Sequence, residues 1–170
     1  MTEKGSVLIL MGSDSDWEVM QEAAKILKEF EVPYEMTLSS AHRSPERTKR
    51  LIHEAETRGV DVIIAGAGGA AHLAGVIAAE TILPVIGVPI SSSPLNGLDS
   101  LLSTVQMPSG IPVATVAIGK AGAKNAGILA TQILARRSSD LAKRLLSYKK
   151  SLAEEVEAKG KRFHEKGHPG

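Results

Sequence analysis

Three short polar segments hold the residues best suited to chemistry. Gly12-Ser13-Asp14-Ser15-Asp16 combines two hydroxyls with two carboxylates. Main-chain N–H groups at a helix start receive an anion, and carboxylates accept sugar hydroxyls or hold a metal. The same residues also serve as a plain helix cap. Ser40-Ala41-His42-Arg43 sets a guanidinium, which grips phosphate through paired hydrogen bonds, beside an imidazole able to exchange a proton near neutral pH. Ala65-Gly-Ala-Gly-Gly-Ala-Ala-His72 is main chain almost without side chains, ending in a second imidazole. It lets a flat ligand lie against the backbone, or lets two helices pack closely.

Each segment also has a plainer reading. His72 alone fits a packed or helix-capping histidine as well as a catalyst. Gly66, Gly68 and Ala71 match the dinucleotide spacing, but they follow the third strand rather than the first, and no acidic residue about 20 positions on stands ready for a ribose. A metal held by His42 and His72 lacks an evident third ligand, and without cysteine there is no thiolate site or nucleophile. No metal and no cofactor is expected. Lys120 reads as a loop lysine or an anion contact, and Gln106–Pro112 as a rigid turn. His53, His164 and His168 read as surface residues.

Alternating aliphatic runs and helix-period segments must position these loops. Strands are expected at Ser6–Met11, Tyr34–Leu38, Val60–Ala65, Val85–Val88 and Val113–Ala117. Helices are expected from Asp16 or Trp17, from Pro45 to about Arg58, after His72, and over Ala126–Leu134. A last amphipathic helix carries Leu141, Leu145, Tyr148, Leu152 and Val156. The pattern predicts an α/β fold: a three-layer, doubly wound parallel sheet of five strands, flavodoxin-like, with an extra C-terminal helix. In such sheets ligands bind beyond the carboxyl ends of the strands, where all three polar segments fall.

The 170 residues suit one domain, expected over 1–158, with a polar, flexible tail over 159–170. Hydrophobic residues make up 43% and aromatics only 3%, so the core must be built from Val, Ile, Leu and Ala. A formal charge of +1 argues against nucleic acid as a partner, although a basic tail follows a mildly acidic body. The nearly uncharged stretch 61–90 is broken by glycines, Pro84, Pro89, His72 and Glu80, which argues against a membrane span. With no hydrophobic signal region over Met1–Ser6, the expected location is the cytoplasm. The helices at 73–79 and 126–134 are apolar nearly all round, which predicts a homo-oligomer burying their outer faces.

Several motifs in one order carry a resemblance over Val7–Leu134. They are Met-Gly-Ser-x-Ser-Asp-Trp at 11–17, Ser-Ala-His-Arg at 40–43 and Ala-Gly-Ala-Gly-Gly-Ala-Ala-His-Leu at 65–73. Pro-Val-Ile-Gly-Val-Pro at 84–89, Leu-x-Gly-x-Asp-Ser-Leu at 95–101, Val-Gln-Met-Pro at 105–108 and Ala-Ile-Gly-Lys-Ala-Gly at 117–122 follow. The chain resembles the N5-carboxyaminoimidazole ribonucleotide mutases, the family also called phosphoribosylaminoimidazole carboxylase. The resemblance implies an isomerase of purine biosynthesis that moves a carboxyl group on a ribonucleotide, octameric with shared sites. It implies that Ser13, Ser40 and Arg43 hold the phosphate and Asp16 the ribose. Gly68 and Leu73 lie in its substrate-binding wall, His42 shuttles the proton, and His72 stands close to the reacting ring. Arg43 resembles the mutase class, since enzymes that carboxylate directly with carbon dioxide typically carry Lys there. Ala74 departs from the family's usual Pro, and the Ile90-Ser-Ser-Ser-Pro94 loop is also unlike the pattern.

Overall fold

The computed structural model describes residues 5–165. Five strands form one sheet: β1 (Ser6–Met11), β2 (Tyr34–Leu38), β3 (Val60–Gly68), β4 (Val85–Ile90) and β5 (Ala114–Thr115). They pair in parallel in the order β2-β1-β3-β4-β5, the flavodoxin-like order expected. Six helices connect and cover them: α1 (Trp17–Glu29), α2 (Pro45–Thr57), α3 (Leu73–Glu80), α4 (Leu98–Val105), α5 (Gly119–Ala135) and α6 (Ser139–Glu165).

Strand periodicity sorts the core into two halves, because successive side chains point to opposite faces. Val7, Ile9 and Met11 of β1, with Val62 and Ile64 of β3, pack under α1, α5 and α6. Leu8, Leu10, Ile63 and Ala65 pack under α2 and α3. Both faces are covered, which is why β1 and β3 read as continuous apolar runs. β2 is an edge strand with half-exposed residues, including Tyr34 and Leu38.

Four features differ from expectation. β3 runs on through the glycines to Gly68 because Ala67 and Gly68 pair with Pro89 and Ile90, which lengthens β4 as well. β5 shrinks to two residues, because only Ala114 and Thr115 pair with β4, opposite Ile86 and Gly87. α4 was not expected at all. It buries Ser100 and Thr104 while Leu98, Leu102 and Val105 face outward, so its hydropathy is inverted. Finally, α6 continues past Lys159 to Glu165; positions 166–170 of the expected tail, with His168, lie outside the described residues.

The stretch 61–90 is β3, α3 and β4 rather than a single span. Among the described residues, no helix is long and apolar enough to cross a membrane.

Candidate active site

The three polar segments converge at the carboxyl end of the sheet. After β1, Ser13 caps a single 3-10 turn at Asp14–Asp16 in a reciprocal box: its hydroxyl accepts the Ser15 N–H at 3.4 Å and the Asp16 carboxylate accepts the Ser13 N–H at 3.0 Å. The Ser15 hydroxyl donates to Ser13 Oγ at 2.9 Å. Hydrogen bonds from the Ser13 hydroxyl and the Ser15 N–H hold the exposed Asp14 carboxyl below its ordinary range. Asp16 is only 3% exposed, and that burial pushes its carboxyl upward.

Arg43 ties the second loop to the first. Its Nη2 donates to the Gly12 carbonyl at 3.3 Å and its Nε to Ser40 Oγ at 3.4 Å. Ser40 Oγ also accepts the Arg43 N–H at 3.2 Å. A guanidinium thus stands between two serine-bearing loops, the arrangement a phosphate needs.

His42 ties the second loop to the third. Its Nε2 lies 2.7 Å from His72 Nδ1, with the rings edge to face at 4.8 Å. One facing nitrogen donates and the other accepts, with the roles set by the tautomer, so the two rings are joined by one hydrogen bond. Both histidines are exposed. Among the described residues, no group of three His, Asp or Glu side chains gathers in a way that could hold a metal ion.

The third loop supplies a bare wall. Gly12 N donates to Gly66 O at 3.0 Å, which seats the ends of β1 and β3 together. A side chain at Gly66 would strike Met20, and one at Gly68 would strike Ser92 and come within 3.1 Å of the Ile90 carbonyl. Gly69 turns the chain with φ +61, a conformation that favours glycine. α3 then begins at Leu73 without a proline, and Ala74 packs against Gly87 instead.

Two expected residues sit differently from the rest. The Leu73 side chain is 2% exposed and belongs to the core with Leu8 and Leu10, so only its main chain is available to a ligand. Lys120 is in the first turn of α5 rather than in a loop, and pairs with Glu18 at 3.8 Å. Ser92, on the loop that leaves β4, also stands against the bare wall, and no sequence motif pointed to it. A cavity of about 920 Å³ lies at the opposite end of the sheet, but its arginines are engaged by Glu35, Asp61, Glu31 and Asp140.

A family model described as AIR carboxylase matches residues 6–155. The chain belongs to the AIR carboxylase family. Within it, the N5-carboxyaminoimidazole ribonucleotide mutase of Pyrococcus horikoshii is 61% identical over 98% of this chain and 93% of its own length. The protein of the same name from Escherichia coli K12 is 55% identical over 88% of this chain and 89% of its own. The crystal structure of Treponema denticola PurE superposes with a TM-score of 0.85 at 30% identity, covering 93% of this chain and 98% of that one. All five strands, all three loops and most of α6 lie inside the stretch that the AIR carboxylase model matches.

Proposed function

We propose that this chain is an N5-carboxyaminoimidazole ribonucleotide mutase of purine biosynthesis, an isomerase that moves a carboxyl group from the exocyclic nitrogen to a ring carbon. The activity named for its close relatives supports the reading. The observation that carries it to residues is the His42–His72 contact, set between an arginine-bridged pair of serine loops and a glycine wall.

In this reading Ser13, Ser40 and Arg43 grip the phosphate, Asp16 takes the ribose, and the Gly66–Ala71 main chain and the Leu73 main chain border the base. Binding energy from the phosphate orients a reacting centre it does not touch. The C–N bond of the N-carboxylate breaks with its electron pair returning to nitrogen, which takes a proton from His42. The ring carbon then gives an electron pair to carbon dioxide, and its hydrogen leaves as a proton to the same imidazole. One proton out and one back leaves the enzyme unchanged, so a single imidazole suffices. His72, sharing a hydrogen bond with His42, keeps that ring oriented and accommodates its change of charge. A wall without polar side chains keeps water from the transient gas.

The enzyme works in the cytoplasm as a homo-octamer with sites shared between subunits. Exposed apolar residues on α4 (Leu98, Leu102, Val105) and on distal α6 (Leu152, Val156) support assembly. The deciding experiment is a spectroscopic turnover assay comparing N-carboxylated ribonucleotide with aminoimidazole ribonucleotide plus bicarbonate. Efficient turnover of the first and poor turnover of the second is expected. The reverse would assign direct carboxylation instead.

A further inference from the structure

β3 and β4 end side by side. Gly68 pairs with Ile90, so the chain leaving β4 passes directly beside the glycine wall. Two residues on, the Ser92 hydroxyl occupies the space that a side chain at position 68 would take. The segment is pinned on both sides of this serine. The Ile90 carbonyl accepts the buried Ser100 hydroxyl at 2.8 Å. Ser93 Oγ donates to Asp99 Oδ2 at 2.7 Å and accepts the Leu95 N–H at 3.2 Å. Ser92 itself is exposed, and among the described residues its hydroxyl has no hydrogen-bond partner.

An anchored loop that holds one unspent hydroxyl against a wall of bare main chain is a preorganised donor. Gly68 is glycine because this hydroxyl needs the room, not because its backbone angles require it; the positive φ falls on Gly69 instead. On the phosphate side the hydroxyls are already engaged: Ser13 Oγ donates to Asp14 and accepts from Ser15, and Ser40 Oγ accepts from Arg43, which also reaches the Gly12 carbonyl. Ser92 lies on the other flank, where the base and its carboxyl group meet the wall in the mutase reading.

We propose that Ser92 is a substrate-positioning residue, its hydroxyl donating to an oxygen of the migrating carboxyl group and holding carbon dioxide against Gly68 during transfer. This rests on the mutase reading above. Ser92 forms no covalent bond and exchanges no proton: the C–N pair returns to nitrogen, the ring-carbon pair forms the new C–C bond, and the proton travels through His42. A hydroxyl can donate to the carboxylate both before and after transfer, so it restrains the group along its path instead of favouring one end.

The test uses the full chain with Ser92→Ala and Ser92→Thr. N-carboxylated ribonucleotide is supplied, and both the C-carboxylated product and released carbon dioxide with free aminoimidazole ribonucleotide are measured. Binding of the aminoimidazole ribonucleotide is followed in parallel through Trp17, the one tryptophan, which is half-exposed beside the first loop. Ser92→Ala is expected to lose about tenfold or more in conversion, the worth of a hydrogen bond to a charged group. The share lost as free carbon dioxide should rise, binding of the carboxyl-free ribonucleotide should stay within about twofold, and Ser92→Thr should recover part of the wild-type partition. A Ser92→Ala enzyme with the wild-type partition overturns the proposal. Wild-type chain that binds but does not convert the substrate instead overturns the mutase reading, and this assignment with it.

Discussion

At the scale of single residues, the candidate site is built from contacts between loops. His42 Nε2 meets His72 Nδ1, and Arg43 holds both Ser40 and the Gly12 carbonyl. His42→Asn should lower turnover by about 10²–10⁴-fold, the usual worth of a positioned acid–base group, while ribonucleotide binding read through Trp17 stays nearly intact. Near-normal turnover in that variant removes His42 from the reaction. Asp16 makes a different point. Burial raises its folded-state pKa above the unfolded value. Its contribution to stability is therefore full below the ordinary carboxylate pKa and is lost as pH rises through the raised one. At neutral pH the buried charge is a net cost, offset in part by the Ser13 N–H. Asp16→Asn keeps an oxygen for that N–H and removes the charge, so it should melt at an equal or higher temperature at pH 7. The gap should narrow on acidification as Asp16 itself protonates, while ribonucleotide binding weakens. Thermal melts across pH that show the Asn variant less stable at pH 7 would mean that the charged hydrogen bond outweighs desolvation.

Among the elements, α5 best shows how packing overrides a pattern. Its apolar surface suggested contacts with other subunits. In the fold it lies between α1 and α6 and against the sheet, with Ala126, Ala130 and Leu134 buried and Ile128, Leu129 and Ile133 packed on the same core. Its own chain covers most of what looked surplus. The start of this helix is also tight, since a side chain at Gly122 would overlap the Ala117 carbonyl, a main-chain atom that cannot swing aside. Gly122→Ala should therefore destabilise the fold by about 1–3 kcal/mol, as overpacking does, lowering the melting temperature by several degrees. An unchanged melt would mean the Ala117 turn relaxes freely. α4 carries the opposite lesson. Its buried face is Ser100 and Thr104, whose hydroxyls are satisfied by the carbonyls of Ile90, Gly97 and Ser100, and Leu98 and Leu102 face outward. A reading that seeks an apolar stripe facing inward finds no such helix.

For the molecule as a whole, two groups of exposed apolar side chains stand out. Leu95, Leu98, Leu102 and Val105 group on and beside α4, and Leu152 and Val156 continue the α6 stripe beyond the part that packs on the core. If these faces are buried between subunits, light scattering should give a mass near eight times the 17.9 kDa chain. Leu102→Glu, which places a charge on such a face, should shift the protein to smaller species. Wild-type chain that stays a 17.9 kDa monomer at micromolar concentration contradicts the assembly.

The residue pattern alone specified the order of elements, because buried parallel strands must be continuous apolar runs and the helices between them must show a stripe. β1 and β2 begin and end where their residues said. It also placed three polar loops at strand ends, and a doubly wound sheet delivers such ends to one edge. Which side chains meet there is a property of the folded chain. That His42 reaches His72 across 30 positions, that Arg43 reaches back to Gly12, and that Ser92 fills the space beside Gly68 depend on strand order and register. These are long-range pairings that local pattern does not encode. The burial of Leu73, the shortness of β5 and the inverted face of α4 belong to the same class, each set by a neighbour distant in the chain.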